Sequence, residues 1–258
     1  MSGPQDDLRN LVGRTRAFVE TLRQKHPNAR VATEGPISKA TAPVAGVSTA
    51  LQTKAGAARA PRNENPKPQA PWAPDLAAFE AQICGCKLCP LGLTRRNFVF
   101  GSGDRQAKIV FLGAAPGPDE DQRGLPFQGA AGALLDRIIV AMGSKRDDVY
   151  LMTLVKCRTP GGGDPKEAEI EACRPFWQHQ LDLIRPQVVC ALGQAATKAM
   201  LGQETDFAKA RGKFHDYKGM AVMPTYSPSD ITGNEALKRP VWDDMKKVLD
   251  RIKSGGTT

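Results

Sequence analysis

Residues 108–127 read KIVFLGAAPGPDEDQRGLPF, and this stretch decides how the rest of the chain is interpreted. It begins with a short apolar run at residues 109–112, which predicts a buried strand. Turn-forming glycines and prolines start at Gly113, and an acidic patch and the aromatic Phe127 follow. Ligands of open parallel sheets bind beyond the carboxyl ends of the strands, so the stretch predicts one wall of a pocket. The alternative is an ordinary strand-to-helix connection with solvated acids.

Further apolar runs along the chain alternate with segments of helical pattern. The predicted strands cover residues 108–112, 149–154, 187–192 and 220–224, and the predicted helices cover residues 131–142, 165–184, 194–201 and 239–253. Strands separated by helices of this length imply right-handed crossovers and a parallel sheet that is covered on both faces. The predicted fold class is α/β, a three-layer α/β/α sandwich with a four-stranded, mostly parallel sheet.

The N-terminal quarter of the chain differs in composition from the rest. Residues 6–25 place apolar side chains at helical spacing, which predicts an amphipathic helix within a segment 1–26 that recruits a protein partner. Residues 27–72 are rich in Ala, Pro and Lys and have no periodicity, which predicts a disordered basic linker. The folded domain is predicted to span residues 73–254.

The charge of the chain favours a polyanionic partner. The formal net charge is +9, so nucleic acid is the first candidate. No apolar run is long enough to span a bilayer, and the polar N-terminus lacks the apolar region of a secretory signal. We therefore expect a cytoplasmic monomer that makes no contact with a membrane.

The cysteines suggest a metal site. Six cysteines in a reducing compartment favour metal ligands or buried thiols over a disulfide framework. Cys86 and Cys89 form a C-x2-C pair, and Cys157 and Cys173 form a second pair with fifteen residues between them. Four such thiolates can bind zinc or an iron–sulfur cluster, and spacing alone does not choose between the two. Cys190 lies within an apolar run and is predicted to be a buried small hydrophobe.

Five segments of the chain, in one order, resemble the iron–sulfur branch of the uracil-DNA glycosylase superfamily, its family four. They are CKLCPLGLTRRNFVFGSGD from residue 86, GAAPGPDEDQRGLPFQGAAGALLDRII from residue 113, VYLMTLVKCRTPGGGDPKEAEIEACRPF from residue 149, PQVVCALGQAATKAMLG from residue 186 and RGKFHDYKGMAVMPTYSPSDI from residue 211. The resemblance covers residues 83–252 and leaves out the N-terminal arm. It implies the uracil-DNA glycosylase fold and a 4Fe–4S cluster held by Cys86, Cys89, Cys157 and Cys173.

The resemblance also implies a function in DNA repair. Enzymes of this family hydrolyse the N-glycosidic bond of a flipped uracil or related deaminated base, and the sequence does not indicate whether single- or double-stranded DNA is preferred. The residues that match the family's motifs are Glu120, Asp121 and Ser227 for catalysis, Gly113, Ala114, Phe127 and Thr153 for binding the base, and Gly193, Lys156, Arg158 and Arg211 for contacting DNA phosphates.

Three positions depart from the family's pattern. Ala114 stands where the family typically has a glutamate, Thr153 where it has a base-gripping asparagine, and Ser227 where it has a histidine that contacts the uracil oxygen. Losing one preorganised donor at a developing oxyanion typically costs ~10²–10³ in rate. Two interpretations stay open: a glycosylase with altered or weak base specificity, and a catalytically degenerate iron–sulfur DNA-binding protein. A further alternative is that the acidic patch holds Mg²⁺ for phosphoryl transfer, although the chain has no Walker lysine motif.

Overall fold

A computed structural model describes residues 71–255 of the chain, and the following account concerns that part. The strands are β1 (Ser102–Gly103), β2 (Ile109–Gly113), β3 (Tyr150–Thr153), β4 (Val188–Leu192), β5 (His215–Tyr217) and β6 (Met220–Thr225). The helices are α1 (Leu76–Ile83), α2 (Leu91–Thr94), α3 (Pro118–Arg123), α4 (Gly129–Ala141), α5 (Glu167–Ile184), α6 (Gly193–Leu201), α7 (Phe207–Ala210), α8 (Pro228–Gly233) and α9 (Lys238–Lys253). Short 3-10 turns lie at Arg146–Asp148, Pro160–Gly162 and Glu235–Leu237.

The strands form one mixed sheet in the order β1-β3-β2-β4-β6-β5. The four inner strands are parallel, and β1 and β5 pair antiparallel with β3 and β6 at the two edges. Every residue of β2, β3 and β4 is buried, as a parallel sheet covered on both faces requires. The predicted α/β class is confirmed, but the sheet has six strands instead of four. The two strands missed are two and three residues long, too short to show a period.

Two apolar cores lie on opposite faces of this sheet. Val110 and Leu112 of β2 belong to one core, while Ile109 and Phe111 belong to the other, and side chains alternate between faces along a strand. The first core contains Phe79 of α1 and residues of α5, and the second contains residues of α4 and α9. These are the three predicted layers. Among the described helices, none is long and apolar enough to cross a membrane.

Cys190 of β4 is fully buried in the second core, as the sequence predicts for a small hydrophobe. Its burial raises the pKa of the thiol well above its usual range. The thiol is therefore an uncharged packing group.

Packing of the described chain begins at Trp72. Its ring lies 5.4 Å from that of Phe79 and 5.7 Å from that of Phe176, measured between centroids. The Nε2 atom of His179 lies 2.9 Å from the carbonyl oxygen of Ala73. The predicted segment 1–26 and all but the last two residues of the predicted linker lie outside the described residues.

This packing defines where the chain tolerates truncation. We expect deletion of residues 1–70 to leave the free energy of unfolding unchanged, because the Trp72 contacts survive. Deletion of residues 1–72 is expected to lower it by about 1–3 kcal/mol, since the buried area of an indole ring is lost. Urea denaturation of both truncated proteins measures the difference, and equal stabilities would contradict a role for Trp72.

Candidate functional site

A cavity of about 830 Å³ lies at the carboxyl ends of the parallel strands. Residues that directly follow β2, β4 and β6 line it, including Ala114, Gly193 and Tyr226. This is the edge at which open α/β sheets bind their ligands. The pocket predicted from residues 108–127 is therefore present where the sequence places it.

Phe127 forms one wall of this cavity. Its ring lies against Gly113, where an added Cβ would be 2.8 Å from the ring's Cζ atom. The backbone of Phe127 has φ +51°, in the left-handed region that non-glycine residues rarely adopt. Arg146 holds this loop by donating hydrogen bonds to the carbonyl oxygens of Pro126 at 2.5 Å and Phe127 at 3.1 Å. Backbone strain that is held by its surroundings is typical of functional sites.

Gly132 permits the close approach of the Phe127 loop to α4. An added Cβ there would lie 2.0 Å from the carbonyl oxygen of Phe127. Alanine normally stabilises a helix relative to glycine, but we expect Gly132→Ala to lower the free energy of unfolding by about 1–3 kcal/mol through this clash. In urea denaturation, Gly233→Ala is the matched control, because a Cβ at 233 meets no atom within 4 Å. Equal effects of the two substitutions would contradict this account.

Glu120 also lines the cavity, and both its carboxylate oxygens accept hydrogen bonds from the backbone. Oε2 accepts from the N–H of Gly117 at 3.0 Å, and Oε1 accepts from the N–H of Gln128 at 2.8 Å. Glu120 therefore joins the start of α3 to the Phe127 loop. Its predicted catalytic role stays a prediction, because these contacts by themselves explain its position.

Asp121 is not among the described residues that line the cavity. Its side chain is buried, and Oδ1 accepts from the N–H groups of Arg96 at 2.8 Å and Asn97 at 3.2 Å. The structure thus turns the Asp121 side chain away from the cavity, and its predicted part in catalysis stays a prediction that these contacts do not support. The physical reason is the helical turn of α3, which directs adjacent carboxylates to different sides.

The hydroxyl of Thr153 makes a hydrogen bond within the chain. The residue is buried, and Oγ1 donates a hydrogen bond to the carbonyl oxygen of Val155 at 2.8 Å. Its methyl Cγ2 would lie 3.6 Å from a Cβ added to Gly113, on the side where the Phe127 ring packs. Thr153 is not among the described residues that line the cavity, and its predicted contact with the base stays a prediction.

Ser227 lines the cavity and caps α8. Its Oγ accepts from the N–H of Asp230 at 3.1 Å, and its own N–H donates to Oδ2 of Asp230 at 2.8 Å. The two residues form a capping box, in which each side chain bonds the other's backbone. Asp230 is a cavity residue that sequence reasoning missed, although the Ser-x-x-Asp spacing was the available signal.

The residues predicted to contact DNA phosphates differ in burial and in position relative to the cavity. Lys156 is fully buried and its Nζ donates to the carbonyl oxygen of Thr153 at 2.7 Å, so its contact with a phosphate stays a prediction that its burial does not support. Burial lowers the pKa of Lys156 to about 7, against the opposing effect of two neighbouring thiols. Arg158 is half-buried, and its Nε has no hydrogen-bond partner within the described residues. Gly193 lines the cavity with φ +84° as the first residue of α6.

Arg211 is engaged within the fold. Its guanidinium forms an ion pair with the buried Asp244 at 2.7 Å and lies 5.2 Å over the ring of Tyr226. Thr225 donates a second hydrogen bond to Asp244 at 2.8 Å. Arg211 therefore holds the segment after β6 in place, and these contacts compete with its predicted contact with DNA.

The four cysteines predicted as cluster ligands belong to the first core. Cys89, Cys157 and Cys173 are buried in it, and Cys86 packs against it. Burial raises the pKa of Cys86, Cys157 and Cys173, that of Cys173 to about 12, and a charge on Cys89 adds to the effect in all three. Cys89 therefore lies within electrostatic reach of the other three thiols, whereas Cys84 is exposed.

Arg95 donates hydrogen bonds beside these thiols. Its Nη1 atom lies 3.1 Å from the sulfur of Cys157 and 2.7 Å from the carbonyl oxygen of Cys86. A charged donor at this position favours the thiolate form. Within residues 71–255, no group of three or more Cys, His, Asp or Glu side chains is arranged to hold a metal ion.

Comparison with known proteins shows the family of this chain. A family model described as the uracil DNA glycosylase superfamily matches residues 100–246. The type-4 uracil-DNA glycosylase of Sulfurisphaera tokodaii is 38% identical over 184 residues, covering 68% of this chain and 84% of that protein. The type-4 uracil-DNA glycosylase of Thermotoga maritima is 39% identical over 175 residues, which cover 66% of this chain and 91% of that protein.

A type-5 uracil-DNA glycosylase of Pyrobaculum aerophilum is more distant. It is 30% identical over 166 residues, covering 58% of this chain and 72% of that protein. The type-4 relatives are therefore matched with higher identity and over more of their length. The chain belongs to the uracil DNA glycosylase superfamily, with type-4 members among its relatives.

Proposed function

We propose that this chain is a DNA N-glycosylase of the uracil-DNA glycosylase type, which hydrolyses the N-glycosidic bond of a flipped, deaminated base in base excision repair. The observation that supports this most is the fixed Phe127 ring against Gly113 in a cavity at the carboxyl edge of the sheet. A base that has left the duplex stack can stack on such a ring, which contributes ~1–3 kcal/mol per base. The relatives are named as type-4 uracil-DNA glycosylases, which agrees with this activity.

The N-terminus of helix α6 offers positive electrostatic potential to a departing base. Helix α6 is nine residues long and begins at Gly193, which lines the cavity. The N–H groups at a helix N-terminus favour negative charge, such as develops on a leaving uracil. The same end of α6 suits a DNA phosphate, so Gly193 is retained with Arg158 as a proposed phosphate contact.

We further propose that Cys86, Cys89, Cys157 and Cys173 hold a 4Fe–4S cluster. The donor set fits, because such a cluster takes four cysteine thiolates, one on each iron. Cys89 lies within electrostatic range of the other three thiols, which supports a shared site for the four. The Arg95 N–H bonded to the sulfur of Cys157 would favour its thiolate form. When bound, the cluster would link three separate segments of the chain.

Other features of the proposal rest on the sequence. Recruitment of a protein partner by residues 1–26, a cytoplasmic place of action and a monomeric state stay predictions. So does the preference for single- or double-stranded DNA.

A catalytically degenerate DNA-binding protein is the second candidate, and one observation favours it. The hydroxyls of Thr153 and Ser227, which replace the family's base-contacting asparagine and histidine, both make hydrogen bonds within the chain. Such a site can bind a flipped base yet offer little stabilisation to the leaving group. The DNA-binding surface would then be retained without cleavage.

Single-turnover excision on uracil- and hypoxanthine-containing oligonucleotides, with anaerobically purified protein, tests the proposal. Abasic product from the parent, reduced at least tenfold in Phe127→Ala, would support a glycosylase. Glu80→Gln, a charge change on the exposed face of α1, is the matched control and is expected to have no effect. No product from the parent, with tight DNA binding and product from Ser227→His, would establish the degenerate protein.

A further inference from the structure

Lys156 is the one buried basic side chain among residues 71–255, and no acid within that range pairs with it. Its Nζ donates one hydrogen bond, to the carbonyl oxygen of Thr153, although an ammonium group carries three N–H donors. The buried Asp244, by contrast, has the guanidinium of Arg211 beside it. Burying a charge without an opposite charge is strongly unfavourable, so the position of Lys156 calls for an anion beside it.

The charged or ionisable groups that act on Lys156 are the thiols of Cys157 and Cys173. Cys157 follows Lys156 directly in the chain, and the backbone N–H of Lys156 favours a charge on Cys173. Both thiols are buried in the first core. Neutral thiols offer the ammonium no opposite charge, whereas thiolates do. The burial of Lys156 therefore suits a state in which these two cysteines are charged.

Arg95 brings a second positive charge to the same group of cysteines. Its Nη1 lies 3.1 Å from the sulfur of Cys157, 62 residues away in the chain, and 2.7 Å from the carbonyl oxygen of Cys86. Its Nη2 donates to the carbonyl oxygen of Cys84 at 2.7 Å, and its guanidinium lies 5.0 Å from the ring centroid of Phe98. A charge that is bonded on several sides has a fixed position beside the two cysteine segments.

We propose that Lys156 is a buried counter-cation of the 4Fe–4S cluster and that Arg95 is the second one. This inference rests on the proposed function of the four cysteines as cluster ligands. A core with two positive charges on four thiolates carries two negative charges overall, which two cations offset. The charge and hydrogen bonds around a cluster also set its reduction potential. Lys156 thereby has a role other than the predicted contact with a DNA phosphate.

Cluster retention in Lys156→Met tests the inference, because methionine keeps a long apolar side chain and removes the charge. In the anaerobically purified full-length protein, we expect an iron chelator to bleach the visible absorption at least tenfold faster than in the parent. The midpoint potential of the cluster is expected to shift to a more negative value, since reduction adds an electron to a site that has lost a cation. Lys213→Met removes an exposed charge and is the control that leaves both quantities unchanged.

The melting temperature with and without iron separates charge from packing. In protein stripped of iron, Lys156→Met removes an unpaired buried charge, so its melting temperature is expected to be higher than that of the parent. In the iron-loaded protein the same substitution is expected to lower the melting temperature. A lower melting temperature in both forms would assign Lys156 to packing alone and overturn the inference.

Two substitutions of Arg95 give a second test at a position that is only half-buried. Arg95→Lys keeps the charge and loses the fork of donors, whereas Arg95→Gln keeps N–H donors and loses the charge. We expect bleaching by the chelator to be at least threefold faster in Arg95→Gln than in Arg95→Lys. Equal rates would show that the charge of Arg95 does not matter and would overturn its part. If Lys156→Met does not fold, this comparison decides the inference.

The outcomes separate this inference from the proposed function. Purified protein that contains no iron, even after anaerobic reconstitution with iron and sulfide, would overturn the proposed cluster and this inference together. An iron-loaded Lys156→Met protein that bleaches at the rate of the parent would overturn the inference alone and leave the cluster standing. Excision of a base is measured separately and does not enter either result.

Discussion

On the proposal that the four cysteines hold a 4Fe–4S cluster, replacing Cys173 with serine is expected to abolish the visible absorption of the anaerobically purified protein and to lower its melting temperature by roughly 10–20 °C. Cys173 lies in α5, buried in the first core with Cys89 and Cys157. If the four cysteines hold a 4Fe–4S cluster, the cluster joins two segments with 67 residues between Cys89 and Cys157. Its loss would cost about 5 kcal/mol or more, because bound metal contributes directly to the free energy of folding.

Two other cysteines provide controls for this prediction. Cys84 is exposed beside the first pair, and Cys190 is buried in the second core. Cys84→Ser and Cys190→Ala are both expected to keep the colour, and Cys190→Ala tests whether a buried thiol alone accounts for the effect. Visible absorption, iron content and thermal unfolding are the measurements. A colourless Cys84→Ser protein or a brown Cys173→Ser protein would reject the ligand set.

Replacing Glu120 with glutamine is expected to lower excision at least 100-fold and the free energy of unfolding by about 1.5–3 kcal/mol. The carboxylate accepts two backbone N–H bonds, from Gly117 and Gln128. Glutamine would turn one acceptor into a donor that faces an N–H group, which breaks the link to the Phe127 loop. The ring would then lose its fixed position against Gly113.

The two effects of Glu120→Gln distinguish positioning from catalysis. A carboxylate that only activates water would reduce the single-turnover rate and leave the stability unchanged. A carboxylate that holds the loop would also weaken DNA binding and lower the melting temperature. Fluorescence anisotropy and thermal unfolding therefore accompany the excision assay, and Glu80→Gln serves as the charge control. Unchanged stability and binding with slow excision would assign Glu120 to the chemistry.

The sequence predicts the inner sheet well because its signals are strong there. Apolar runs such as residues 109–112 and 188–192 mark the parallel strands to within a residue or two. Helix α3 has the polar sequence PDEDQR and no apolar face, so periodicity could not reveal it. The signals for its start were Gly117 before a proline and acids in the first turn.

The sequence indicated which segments line the cavity, but it could not indicate how individual side chains are oriented. Motif matching placed Ala114, Phe127 and Ser227 at the cavity, where the structure has them. Motif matching could not show that Lys156 is fully buried. In the sequence, a buried lysine looks the same as a lysine on a DNA-binding surface. Motif matching also could not show where the hydroxyl of Thr153 points. Side-chain direction depends on packing, which no motif records.

The short edge strands of the sheet have a consequence for behaviour at high concentration. A long, flat edge strand exposes a row of unpaired N–H and C=O groups and invites another chain to pair with it. Here the outer strands are β1, with two residues, and β5, with three, and each runs antiparallel to its neighbour. Neither edge is long enough to serve as a template for strand addition, so this domain is protected against edge-to-edge aggregation.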